Sequence, residues 1–195
     1  IKHHPTMLLQ EHYFRKALQE RGYRAPLGVR VNHKEGTCTH ADKTYPVVFP
    51  RAMLAHVARF HHGEARPYSY FFRGVKTSRK QWVWDHYAHR EDALVSISKR
   101  GRDPKLKYTL DDAYYRDMCN ARFVLTPLDV YAWSYRFFEA IMCRAIPVLH
   151  DDEVDKFAHR FHVYRHSDEH VWRQDWVEHN LRQLMQYHTL DGLLS

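Results

Sequence analysis

From Tyr68 onward the chain alternates short apolar runs with longer amphipathic ones. Runs rich in aromatic and β-branched residues fall at 68–73, 93–98, 122–127 and 145–150, and each reads as a buried strand. Between them, apolar residues at three-to-four spacing predict helices over 78–89, 110–120 and 135–144. Residues 161–165 read as one more strand and 171–187 as a closing amphipathic helix. Strands separated by crossover helices predict the α/β class, with a Rossmann-like parallel sheet flanked by helices. Before Tyr68 the pattern is poorer. An amphipathic helix is expected over 5–22, a polar loop over 25–44, a short strand over 45–50 and a helix over 52–62. Gly63 to Pro67 reads as a linker, so the expected organisation is a reduced N-terminal segment, 1–67, and a sheet domain, 68–195.

The chemistry concentrates between Tyr115 and Leu149. Parallel sheets bind ligands beyond the carboxyl ends of their strands, where helix N-termini point outward. Ser134 stands where an N-cap belongs, ahead of a run without helix breakers, and the free N–H groups behind it form an anion site. Arg136 lies in the first turn, where a cation opposes the helix dipole; a bound phosphate reverses that balance. Arg136 is therefore a candidate phosphate ligand, gripping oxygens in a bidentate manner. Glu139, one turn on, is a candidate acceptor for two ribose hydroxyls. A plain Arg136–Glu139 surface pair explains the same spacing.

Two stretches resemble the exostosin-type glycosyltransferases, which transfer sugars from nucleotide sugars with inversion and have the two-domain GT-B fold. The family's order of a proline, a short loop, Trp-Ser-Pro-Arg, a Glu-Ala pair and a Pro-Val strand is similar to Pro127, Trp133-Ser134-Tyr135-Arg136, Glu139-Ala140 and Pro147-Val148. Upstream, YFFRGVKTSRKQW at 70–82 resembles the family's FFRG strand and basic helix start. The likeness covers about residues 68–188 and departs at Tyr135, usually proline, and at Asp129, where glycine is common. It implies that Arg136 contacts the donor diphosphate and Glu139 the ribose, with Trp133 and Ser134 completing the cradle. Arg73 and Arg79 would add positive charge, and Arg100 and Gly101 fall where such folds place a base-binding loop. The function implied is an inverting transferase moving a sugar from a nucleotide diphosphate sugar, a UDP-sugar being the commonest, to a glycan hydroxyl. No metal and no cofactor beyond the donor substrate are expected, because helix dipole and arginines can carry the leaving-group charge.

The catalytic base is open. In this family it comes from the acceptor side, and candidates there are His33, Glu35, His40 and Asp42, with Asp129 on the donor side. Residues 1–67 are short for a second domain. Another domain or subunit supplying the acceptor surface is therefore a candidate partner, and a non-catalytic nucleotide-sugar-binding module is the alternative reading.

Composition narrows the remainder. The 195 residues are 44% hydrophobic with a net charge of +7. The basic residues are scattered and carry no nucleic-acid-binding signature, so nucleic acid is not expected as a partner; a basic nucleic-acid-binding α/β protein is the second alternative. The charge suits an anionic donor, an acidic glycan or peripheral membrane contact. Seventeen histidines include His3-His4, His61-His62 and His159 with His162, yet show no metal-binding framework. No run is apolar enough to span a bilayer, and Ile1 opens no leader, although the first residues read as a fragment start, which leaves room for a removed leader or anchor. Three widely spaced cysteines favour a reducing, cytoplasmic setting.

Overall fold

The structure, a computed structural model, describes residues 5–61, 63, 65–98, 110–129 and 131–195. Helix α1 (Pro5–Glu20) leads into three short strands, β1 (Val29–Asn32), β2 (Thr37–His40) and β3 (Lys43–Pro46), paired as an antiparallel meander. The meander replaces the polar loop expected over 25–44, and the strand expected over 45–50 reaches only to Pro46. Its signal is faint because the strands are four residues long and alternate through Thr, Cys and His. The second turn also lacks the usual Asn-Gly pair: Ala41 and Asp42 themselves take positive φ (49° and 60°). Phe14, Leu18, Cys38, Tyr45 and Val48 bury the meander against α1.

Helix α2 (Arg51–Ala58) leads into the sheet unit. Its strands are β4 (Tyr68–Gly74), β5 (Ala93–Ile97), β6 (Ala121–Leu125), β7 (Ile146–Leu149) and β8 (Tyr164–Arg165), all parallel, in spatial order β5-β4-β6-β7-β8. Helices α3 (Gln81–Tyr87), α4 (Asp112–Cys119) and α5 (Tyr135–Met142) connect them, and α6 (Gln174–Tyr187) and α7 (Leu190–Leu193) close the chain. The period-two pleat divides the strand residues between two cores. Phe71, Val124 and Leu149 face Tyr115, Met118, Phe137 and Ile141 of α4 and α5. Phe72, Phe123, Leu125 and Val148 face Trp82, Val83 and Tyr87 of α3 and Val177 of α6. The winding turns back after β5, and crossovers of one hand then require α3 on one face and α4 and α5 on the other. That is the arrangement found. It puts a topological switch point between β4 and β6, where helices of opposite faces diverge.

Residues before Tyr68 share the core of the α4–α5 face: Leu9, Tyr13, Phe49, Met53 and Val57 lie in one cluster with Phe137, Phe138 and Ile141. Buried Arg66 stitches the junction, donating to the carbonyls of Ala121 (2.6 Å) and Cys143 (3.0 Å). At the other end His188 closes α6. Its Nδ1 donates to the Val47 carbonyl at 2.8 Å, and its own carbonyl accepts from Phe49 N–H at 2.8 Å. Cys38, Cys119 and Cys143 are all buried and free. Among the described residues no helix is long and apolar enough to cross a membrane.

Burial, helped by the charge of Arg160, pushes the His188 imidazole down to about 4. An unfolded histidine titrates near 6.5, so between these values the unfolded chain binds the extra proton. The stability due to neutral His188 is therefore present above pH ~6.5 and is lost as pH falls toward ~4, at most about 3 kcal/mol. Urea unfolding across this range should show that fall in the wild type and a shallower one in His188→Asn.

Candidate functional site

The switch point is built from residues three segments apart in sequence. Ser134 is the N-cap of α5, with an extended backbone (φ −148°, ψ 150°) and Oγ accepting from Phe137 N–H at 3.4 Å. The first turn then carries Arg136 back across the end of β4. Its guanidinium lies 4.5 Å above the Phe72 ring, and Nη2 donates to the Arg73 carbonyl at 3.0 Å. Gly74 makes this approach possible, since a Cβ there would stand 2.6 Å from Arg136 Nη2. The glycine of the FFRG stretch is thus explained by a side chain more than sixty residues away. Arg136 Nε is buried and has no hydrogen-bond partner. A guanidinium N–H left unpaired in that setting is costly until an acceptor arrives.

A second cation faces it. Lys80, at the end of the 3-10 turn Ser78–Lys80, is 7% exposed and sits 3.4 Å from the Asp129 carboxylate. Burial pushes its ammonium below the usual lysine range, and the nearby charge of Arg136 pushes the same way against the pull of Asp129. Arg79 donates to the Asp129 carbonyl at 2.7 Å. Lys80 belongs to the basic helix start that the sequence reads as exposed, yet the signal of its burial is present. With Val83, Trp84 and Tyr87 it follows the i, i+3, i+4, i+7 spacing of the buried side.

Beside these cations a pocket of about 500 Å³ opens along the carboxyl edge, lined among others by Arg79, Trp82, Asp129, His150, Glu153 and Lys156. Glu153 accepts from Leu128 N–H at 2.9 Å, and burial raises its carboxyl above the ordinary range, opposed by that N–H and by Lys156. His150 stacks on His166 (centroids 5.4 Å), which in turn meets His86 at 5.0 Å. Glu153 and the histidine stack were not readable in sequence, since they meet only through the order of β7 and β8.

Other expected site residues have different employment. Glu139 is 4% exposed and accepts from the Tyr115 hydroxyl and, at 3.4 Å, from that of Tyr114. Its carboxylate faces α4, so neither the ribose contact nor the Arg136–Glu139 surface pair describes this geometry. Arg73 turns its side chain to Asp117 and lies over Phe71 and Tyr114. Only its backbone carbonyl joins the Arg136 site. Trp133 donates from Nε1 to the His33 carbonyl at 2.8 Å and packs so closely on Gly36 that a Cβ would stand 2.9 Å from the indole. It fastens the meander to the loop before α5, a packing role in place of donor contact. Arg100 and Gly101 lie outside the described residues.

Among the base candidates, His33 stands near the residues that precede α5, with Tyr131 at 4.8 Å and Trp133 at 5.4 Å between ring centroids. Asp42 and His40 belong to the opposite end of the meander, a strand length away. Asp129 itself is half-exposed and engaged by Lys80. Among the described residues no group of three or more His, Cys, Asp or Glu is placed to hold a metal ion. Compared with known proteins, the chain matches no family model and no curated sequence.

Removing the Glu139 carboxylate leaves the buried Tyr115 hydroxyl without its acceptor. Glu139→Ala should therefore lower stability by about 2–3 kcal/mol, and Glu139→Gln by less, since the amide oxygen still accepts. Chemical denaturation of the two variants measures this, and equal stability for wild type and alanine variant would deny the carboxylate its packing role.

Proposed function

We propose that this protein is an inverting glycosyltransferase that uses a nucleotide diphosphate sugar, with a UDP-sugar as the first candidate donor and a glycan hydroxyl as acceptor. The observation that carries the reading is the Arg136 guanidinium at the β4–β6 switch point. It has a buried, unpartnered Nε and lies beside a buried lysine and the capped start of α5. Parallel sheets bind phosphates at this place. The likeness of residues 70–82 and 127–148 to the exostosin-type enzymes narrows the ligand from any phosphate to a nucleotide sugar.

In the proposed reaction an acceptor hydroxyl attacks the anomeric carbon from the face opposite the diphosphate, and the carbon–oxygen bond to the diphosphate breaks. The negative charge gathering on that leaving group falls to Arg136, Lys80, Arg79 and the free N–H groups of α5. Such fixed positive charge fills the role a divalent metal otherwise plays, so transfer should persist in EDTA. The acceptor hydroxyl's proton passes to a base, for which His33 is the acceptor-side candidate placed nearest the donor loop. Glu139 acts through Tyr114 and Tyr115, holding α4 and α5 in register. Three free, buried thiols accord with a reducing, cytoplasmic location, with the net charge of +7 allowing peripheral contact with an acidic membrane.

A second reading, a nucleotide-sugar-binding module without transfer, is favoured by one observation. The described residues before Tyr68 build α1, the meander and α2, and no parallel sheet of their own faces the pocket.

Thermal-shift titration with UDP, GDP, CMP and dTDP tests the common premise. One nucleoside diphosphate should stabilise the wild type, by about 2.7 kcal/mol at a hundredfold excess over Kd. Arg136→Ala should lose that stabilisation, and Gly74→Ala, which displaces the guanidinium, should lose most of it. A nucleotide that protects Arg136→Ala as well as it protects the parent removes the site. Sugar transfer to glycan acceptors, or donor hydrolysis, then separates the enzyme from the module.

A further inference from the structure

We infer that Lys80, Arg79 and Arg136 form one diphosphate-binding site, and that Asp129 is the internal anion which the diphosphate displaces. This inference rests on the proposed function and names a determinant of affinity within the same site. Asp129 touches two of the three cations at once, through its carboxylate to Lys80 (3.4 Å) and through its carbonyl to Arg79 (2.7 Å). Lys80 in turn faces the third, Arg136. Once Asp129 is displaced, three cations face the two negative charges of a nucleotide diphosphate sugar, so the exchange replaces one anionic charge by two. Arg73 does not enter this balance, because Asp117 neutralises it. Glu153, the nearby pocket carboxylate, is tied to the Leu128 N–H.

The Lys80–Asp129 contact has the character of a provisional one. At 3.4 Å it is longer than a charge-assisted N–H···O bond, about 2.7–2.9 Å. The two partners differ sharply in setting: the Lys80 side chain is 9% exposed, that of Asp129 51%. The buried ammonium needs an anion, whereas the carboxylate keeps water on its outer side and gives up little by leaving. The diphosphate of a nucleotide sugar offers two non-bridging acceptor oxygens on each phosphate in its place, partners for Lys80 and for the unpartnered Nε of Arg136. Asp129 and Arg79 both line the 500 Å³ pocket, so the carboxylate stands between that space and buried Lys80. The sequence departs from the exostosin-type pattern at this position, where an uncharged glycine is common, so the carboxylate is a property of this chain.

An internal ligand that occupies the cations about nine-tenths of the time weakens apparent affinity about tenfold. Isothermal titration of inorganic pyrophosphate and of UDP into wild type, Asp129→Asn and Asp129→Glu reads this directly. The asparagine variant should bind both about tenfold more tightly, and the glutamate variant, which keeps the charge, should stay close to wild type. Because Asp129 is half-exposed, neither substitution opens the core, and unfolding midpoints close to wild type check that. Equal affinity in wild type and Asp129→Asn overturns the displacement while leaving the nucleotide site standing. Weaker binding by Asp129→Asn overturns it too, and makes Asp129 a direct ligand. Absence of pyrophosphate and UDP binding in all three proteins overturns this inference and the proposed function together.

Discussion

A guanidinium lying across the end of a strand organises this molecule's carboxyl edge. Arg136 rests on Phe72, donates to the Arg73 carbonyl and fits only because residue 74 has no side chain. The contact locks the first turn of α5 to β4, although α5 connects β6 to β7. It thereby fixes the gap that the reversed winding leaves between β4 and β6. Lys80 and Arg79, in the turn that follows β4, are joined by Asp129, and Arg79 and Asp129 line the pocket beside them. Desolvation does the chemical work. Partly buried positive charge with too few acceptors makes the edge electrostatically suited to an anion.

Much of the fold was legible because a parallel sheet covered on both faces leaves continuous apolar runs in its strands. The strands at 68–74, 121–125 and 146–149 and the helix after Ser134 follow that signal to within a few residues. The meander was not legible. Its four-residue strands each turn only one or two residues, such as Cys38 and Tyr45, toward α1, and its second turn uses Ala41 and Asp42 where glycine or asparagine is customary. The site was legible in part for a related reason. Chain pattern locates an N-cap and a first-turn arginine, and both are found where expected. It is blind to which carboxylate a side chain meets across the sheet, so it could not see Asp117 claiming Arg73, or two tyrosines claiming Glu139.

Trp133 shows how a site-like residue becomes a joint. The indole spans from the loop before α5 to the first turn of the meander, with its N–H on the His33 carbonyl and its face on Gly36. Through it, His33 and the residues just before α5 are tied together by one ring. The residue type that the family likeness associates with the donor is here packed against the meander.

The shared cluster beneath α5 bears on how this protein can be cut. Phe49 meets Tyr135 at 5.9 Å and Phe138 at 5.6 Å between ring centroids, and Tyr13 meets Tyr135 at 5.8 Å. Severing the polypeptide at the Gly63–Pro67 connection would strip these rings of their neighbours and hand solvent a broad greasy flank. For all the linker-like composition of that stretch, the parts on either side of it share one core.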